Sequence, residues 1–232
     1  MSKSLGSIPN SLSIRSLNKR TENSLNSKPC GYTTNNVKNI HEKLFRNRKK
    51  TAIVMIGGPG SGKSVIKYNY INTLNRDQRE FVNLDPDFVL ENMRSYKEKI
   101  ARSNSNAASK CKTSADMLRD KLHDYAISEQ FNLILDGTGK DFEYTKSVIE
   151  DLNNNDYLVH LVIVNVDQDI GLQRVKDRAM LTKRNIPTNV VKNIYSKLEI
   201  NVKKYFELEN TSLYKLVVYD NNEYPKIVYE SK

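Results

Sequence analysis

The sequence predicts an α/β fold in three layers: a mostly parallel five-stranded sheet with helices on both faces, behind a disordered N-terminal tail. Two observations predict it. From residue 51 onward, short apolar runs alternate with longer segments of helical periodicity. The runs are nearly continuous in Val, Ile and Leu, as in strands buried on both faces. Sheets of this kind hold ligands at the carboxyl ends of their strands. The loops after residues 56, 84, 136 and 166 are therefore expected along one rim.

Taken in order, residues 1–33 are rich in Ser and Asn and poor in large apolar side chains. Such a stretch cannot bury enough surface to offset its ordering entropy, so it reads as a disordered tail. A Ser-rich, almost acid-free mitochondrial presequence and a basic arm for a polyanion are the other readings. Residues 34–232 read as one domain. Val37, Ile40, Leu44 and Phe45 fall at helical spacing and predict a short helix over 34–48. "TAIVMI" (51–56) is a buried strand, and a helix follows over 64–75. "FVNL" (81–84) is a short strand, and Pro86 opens the next helix. Residues 103–112 read as a loop or helix junction, 114–129 as a helix, and "FNLILD" (131–136) as a third strand. A helix over 141–153, a strand over 157–166, and helices over 168–181 and 188–208 come next. "LYKLVVYD" (213–220) is the last core strand, with "KIVYE" (226–230) as an edge pairing.

Bulk properties narrow the function. The net charge of +10 is local: residues 1–50 hold eleven Lys and Arg against two acids, and the remaining residues carry 26 against 25. A nucleic-acid argument from overall charge therefore applies only to residues 1–50. No apolar run approaches a membrane span, and no secretory leader is visible near Met1. Cys30 and Cys111 lack metal-ligand spacing and read as free thiols in a reducing compartment, cytoplasmic or in a host-cell cytosol.

The chemistry is concentrated in the rim loops. "GGPGSGKS" supplies Gly57, Gly58, Pro59, Gly60, Ser61, Gly62, Lys63 and Ser64, and fits G-x-x-x-x-G-K-[ST]. In such a loop, backbone N–H groups wrap a phosphate and the following helix adds its positive end. Lys63 reaches the β- and γ-phosphates of ATP, and the Ser64 hydroxyl holds Mg²⁺. The alternative is a Gly-rich turn without a ligand, but its place between a strand and a helix favours the phosphate loop. This motif makes the fold P-loop NTPase/kinase in type. In "NLDPDF", Asp85 and Asp87 flank Pro86, where a carboxylate can accept a proton from an attacking hydroxyl, hold Mg²⁺ or cap a helix. "LILDGTGK" ends a strand in Asp136, the form of a Mg²⁺-side carboxylate, with Thr138 and Lys140 as substrate or phosphate contacts. Arg174 and Arg178 share a helix face, and Arg184 precedes Pro187. They are either a solvated basic face or a lid whose arginines neutralise the transferring phosphoryl group.

Together, "GGPGSGKS", "NLDPD", "LILDGTG", "RVKDR" and "KRNIP" resemble the zeta-toxin family of P-loop kinases, over about residues 50–208. The resemblance implies phosphorylation of a sugar hydroxyl of UDP-N-acetylglucosamine with ATP and Mg²⁺, and pairing with an antitoxin. It implies nucleotide and Mg²⁺ contacts at Lys63 and Ser64, and a base at Asp87. It further implies a substrate-side loop at Asp136 and Thr138, and phosphate-clamping arginines at Arg178 and Arg184. Bacterial toxins of the family often carry Glu and Arg where this chain has Asp136 and Lys140. The other readings are a nucleoside, nucleotide or polynucleotide kinase using residues 1–50 on nucleic acid, and a nucleotide-binding interaction module that transfers nothing.

Overall fold

A computed structural model describes residues 50–102, 107–182 and 186–231. The sequence readings for 1–33 and 34–48, and the position of Arg184, lie outside these residues. The elements are β1 (Thr51–Ile56), α1 (Lys63–Thr73), β2 (Phe81–Asn83), α2 (Pro86–Asn92), α3 (Arg94–Ala101) and α4 (Ala107–Ser128). They continue with β3 (Asn132–Gly137), α5 (Phe142–Asn154), β4 (Leu158–Asn165), α6 (Gln168–Thr182), α7 (Thr188–Glu207), β5 (Lys215–Asp220) and β6 (Lys226–Glu230).

The sheet order is β2-β3-β1-β4-β5-β6, all pairs parallel except the last. The sheet thus has six strands rather than five, because the exposed "KIVYE" strand pairs antiparallel with β5. Alternation along β1 sorts its side chains. Ala52, Val54 and Ile56 face a large apolar cluster built with α2, α4, α5 and α7. Ile53 and Met55 face a second cluster with Ile66, Tyr70 and Ile71 of α1. Both faces of the central strand are dry, which is why its sequence is apolar throughout.

Two boundaries differ from expectation. The helix expected to run on from Pro86 is interrupted at Met93, which is extended (φ −76°, ψ 127°) and fully buried. Burying that side chain turns the chain between α2 and α3, a tertiary effect that periodicity does not register. Helix α4 begins at Ala107, ahead of the expected start at 114, because Ala107 and Cys111 already pack in the interior. Cys111 also corrects the free-thiol expectation: it is disulfide-bonded, and no described cysteine is free. Separation along the chain gives no sign of such an approach. Among the described residues no helix is long and apolar enough to cross a membrane.

Candidate active site

The loop after β1 turns back on itself before α1. The Ser61 N–H donates to the Gly58 carbonyl at 3.1 Å. Gly60 and Gly62 adopt φ of 79° and 88°, the left-handed region that favours glycine. Gly62 is also the cap of α1, and no side chain caps that helix end. The first turn of α1 therefore presents backbone N–H groups and the positive helix terminus to the rim, the arrangement that binds phosphate.

Neighbouring elements hold the loop in shape. The Tyr195 hydroxyl of α7 donates to the Pro59 carbonyl at 2.9 Å. Its ring fills the space a side chain at Gly58 or Gly171 would need. Asn221, just past β5, donates from Nδ2 to the Ser61 carbonyl at 2.7 Å. Arg174 of α6 donates to the Asn222 carbonyl at 3.0 Å and, at a longer 3.5 Å, to the Gly60 carbonyl.

Across the rim stand the acids. Asp85 caps α2, its Oδ1 accepting from the Asp87 N–H at 2.8 Å, with Pro86 in the first helical turn. The Lys63 ammonium donates to the Gly57 carbonyl at 2.7 Å and lies 3.7 Å from Asp136 Oδ1. Burial pushes the Asp136 carboxyl up to about 6; Lys63 and Lys67 pull it down, while Asp85 and Asp87 push it further up. Burial also raises Asp85, with the Asp87 charge adding to it. Three acids from two loops therefore share one electrostatic neighbourhood with the lysine of the phosphate loop.

The loop after β3 is held from α7. Asn201 donates to the carbonyls of Gly139 and Lys140 at 3.2 and 3.0 Å, and the Tyr205 hydroxyl donates to Gly139 at 3.0 Å. The Thr138 hydroxyl accepts from the Lys140 N–H at 3.4 Å, and Lys140 is exposed. Ser64 is exposed at the start of α1, and Arg178 is exposed on α6. The described arginine that touches the phosphate loop is thus Arg174, one turn before Arg178. Lys67, Tyr195, Asn201, Tyr205 and Asn221 were not singled out from the sequence. Four of them act through backbone partners distant in the chain, which spacing cannot reveal; Lys67 stands four residues after Lys63, on the same helix face.

The strand order and the loop from 57 to 64 define a fold of P-loop kinase type. A family model described as zeta toxin matches residues 34–232, and the chain belongs to that family. It is a kinase. It is 29% identical over 168 residues to a protein of Acanthamoeba polyphaga mimivirus named for a bifunctional polynucleotide phosphatase/kinase, covering 70% of this chain. The chain spans about a third of the length of that curated relative (32%). Among solved structures, a chain of the PezAT chromosomal toxin–antitoxin system of Streptococcus pneumoniae superposes with a TM-score of 0.68 at 19% identity, covering 88% of this chain and 83% of that one. A chain of the AvrRxo1-ORF1:AvrRxo1-ORF2 complex solved with ATP gives a TM-score of 0.57 at 13% identity, covering 94% of this chain and 65% of that one.

Proposed function

We propose that this kinase transfers the γ-phosphoryl group of ATP to a hydroxyl of a small molecule, with a UDP-N-acetyl sugar as the acceptor the family resemblance implies. The observation that carries the reading is the pairing of Lys63 with Asp136 at 3.7 Å, with Asp85 and Asp87 close enough to act on the same carboxylate. It supports reading the lysine of the phosphate loop and the acids of the neighbouring loops as parts of one site. ATP fits the loop, whose uncapped helix end and left-handed glycines leave backbone N–H groups for an anion, and a fold neighbour was solved with ATP.

In this reading Gly57 to Ser64 hold the triphosphate, and Lys63 leaves the loop carbonyls for its oxygens. Asp87, in the first turn of α2, accepts the proton of the acceptor hydroxyl. Asp85, Thr138 and Lys140 line the acceptor side. Arg178 and Arg184 close on the phosphoryl group as its charge develops. Ser64 and Asp136 supply the hard oxygen donors that would hold Mg²⁺, which neutralises phosphate charge when bound. An antitoxin-like partner is part of the proposal, supported by the toxin–antitoxin system among the fold neighbours. Residues 34–232 act as one kinase domain.

One observation favours a second acceptor. The mimivirus relative is named for a polynucleotide kinase, and a 5′-hydroxyl end would meet the same base. Labelled ATP, offered with UDP-N-acetylglucosamine or with a 5′-hydroxyl oligonucleotide, decides between them by which compound gains label. Lys63→Ala is expected to abolish transfer. Asp87→Asn is expected to lower kcat by about 10²- to 10⁴-fold while leaving ATP affinity nearly unchanged. Wild-type turnover by Asp87→Asn would remove the base assignment.

A further inference from the structure

Helices α4 and α5 leave a cavity of about 250 Å³ between them, on the sheet face opposite α1. Its floor is apolar, formed by Leu84, Leu135 and Val148 of the cluster on that face. Leu135 and Asp136 are neighbours on β3, and alternation sends their side chains to opposite faces. The cavity is therefore separate from the Lys63–Asp136 pair. It is smaller than a nucleotide pocket and suits a group the size of one side chain.

The wall is polar and unevenly charged. Arg119 of α4 is neutralised by Asp120, 2.6 Å from its Nη2, and donates to the Tyr144 hydroxyl of α5 at 3.0 Å. Asp124 and Asp151 remain. Among the described residues neither meets a Lys or Arg. Asp124 lies 3.8 Å from His123 Nδ1, and Asp151 accepts from the Asn155 side chain at 3.3 Å. Burial lowers the His123 imidazole against the pull of Asp151, Asp124 and Asp120, so the ring is neutral near pH 7. With its proton on Nδ1, toward Asp124, the ring leaves Nε2 as an acceptor. That atom is sealed from solvent and has no partner among the described residues. A buried acceptor without a donor is costly. The wall thus offers acceptors and two surplus negative charges above an apolar floor.

We propose that this cavity binds an organic cation: a primary ammonium or a guanidinium on an alkyl stem. The stem lies on Leu84, Leu135 and Val148, and the head stands among Asp124, Asp151 and His123. Such ligands bury their methylenes and keep the charge at a polar mouth. The same surplus turns away phosphates and carboxylates. Two sources share this chemistry, a cation from outside the chain and a basic side chain of its own. Residues 1–29 carry five Lys and Arg against one acid.

The test is an amide NMR titration of the full chain with N-acetyl-arginine methylamide, N-acetyl-lysine methylamide and the uncharged N-acetyl-norleucine methylamide. The two cationic probes are expected to bind with Kd of about 1 mM, the scale for ligands of this size, and to move amides of α4 and α5. The norleucine probe is expected to bind about tenfold more weakly or worse. Asp124→Asn/Asp151→Asn is expected to weaken the cationic probes about tenfold and to remove most of their salt dependence. Ser147 is an exposed residue of the wall, so Ser147→Trp fills the cavity from outside without entering the core, and is expected to abolish binding. The same titration on a chain lacking residues 1–29 separates the sources. An unchanged Kd assigns the cavity to a cation from outside the chain, and a Kd lowered about fivefold or more assigns it to the chain's own basic residues, an intramolecular competitor. Equal affinity for the norleucine probe overturns the proposal, as does binding that survives Ser147→Trp. So does the absence of shifts in both chains at about 20 mM probe, well above the expected Kd.

Discussion

Asp136 has a side chain 12% exposed and 3.7 Å from the Lys63 ammonium. Burial pushes its carboxyl from 3.8 up to about 6, even against the pull of Lys63. A carboxyl that holds its proton more tightly when folded contributes stability that is complete below about pH 3.8 and lost as the pH rises through about 6. Above that range the gap corresponds to about 3 kcal/mol. Asp136→Asn has no charge to bury, so the ligand-free variant is expected to exceed wild type by about 2–3 kcal/mol at pH 7.5. The difference should close toward pH 4, while phosphoryl transfer is lost. Urea unfolding across that range measures it, and a variant less stable at pH 7.5 would mean that the Lys63 contact outweighs burial. The sequence carried Asp136 to the correct rim because an apolar run ending in an acid beside a phosphate loop has a mechanical meaning. Lys67 carried a weaker signal, a second lysine at helical spacing, which on an exposed helix would mean nothing.

At the scale of the element, α7 ties two rim loops together. Its buried face runs through Val191, Ile194, Tyr195, Leu198, Asn201 and Tyr205, the helical stripe expected of a packed helix. Three polar members of that stripe hold the backbones of two rim loops: Tyr195 at Pro59, and Asn201 and Tyr205 at Gly139. One rigid helix therefore sets the spacing between the phosphate loop and the loop that follows Asp136. Tyr195→Phe keeps the ring against Gly58 and Gly171 and removes only the hydrogen bond to Pro59. It is expected to cost about 1 kcal/mol of stability and to weaken ATP binding about fivefold, read by urea unfolding and by nucleotide titration. Unchanged affinity would mean the loop keeps its shape without the strap. The helix itself was legible from periodicity, at nearly the observed limits of Thr188 and Glu207. Its grip on the loops was not, since Tyr and Asn in a stripe read equally as packing. The break at Met93 was hidden for a related reason: the residue is fully buried, and the demand that bends the chain there comes from the core.

For the whole molecule, topology and charge point in different directions. The parallel order β2-β3-β1-β4-β5 gathers the loops after β1, β2 and β3 at one rim, and this was readable because strands buried on both faces leave long apolar runs. The charge belongs elsewhere, with residues 1–50 carrying eleven basic residues against two acids. The family match begins at residue 34, and residues 1–29, with five Lys and Arg and one acid, can be removed without cutting into it or removing Cys30. If the acceptor is a polynucleotide and these residues hold it, each phosphate contact releases counter-ions. Removing five cations should then flatten the salt dependence of oligonucleotide binding by up to about 3 in the slope of log K against log salt, and raise KM for the oligonucleotide at low salt. A sugar-nucleotide acceptor carries two phosphates held at the rim, so its KM should not respond to the deletion. Measured side by side at several salt concentrations, a deletion that leaves oligonucleotide binding and its slope untouched would detach residues 1–29 from catalysis. The near-neutral remainder of the chain would then have to recognise its acceptor through the rim alone.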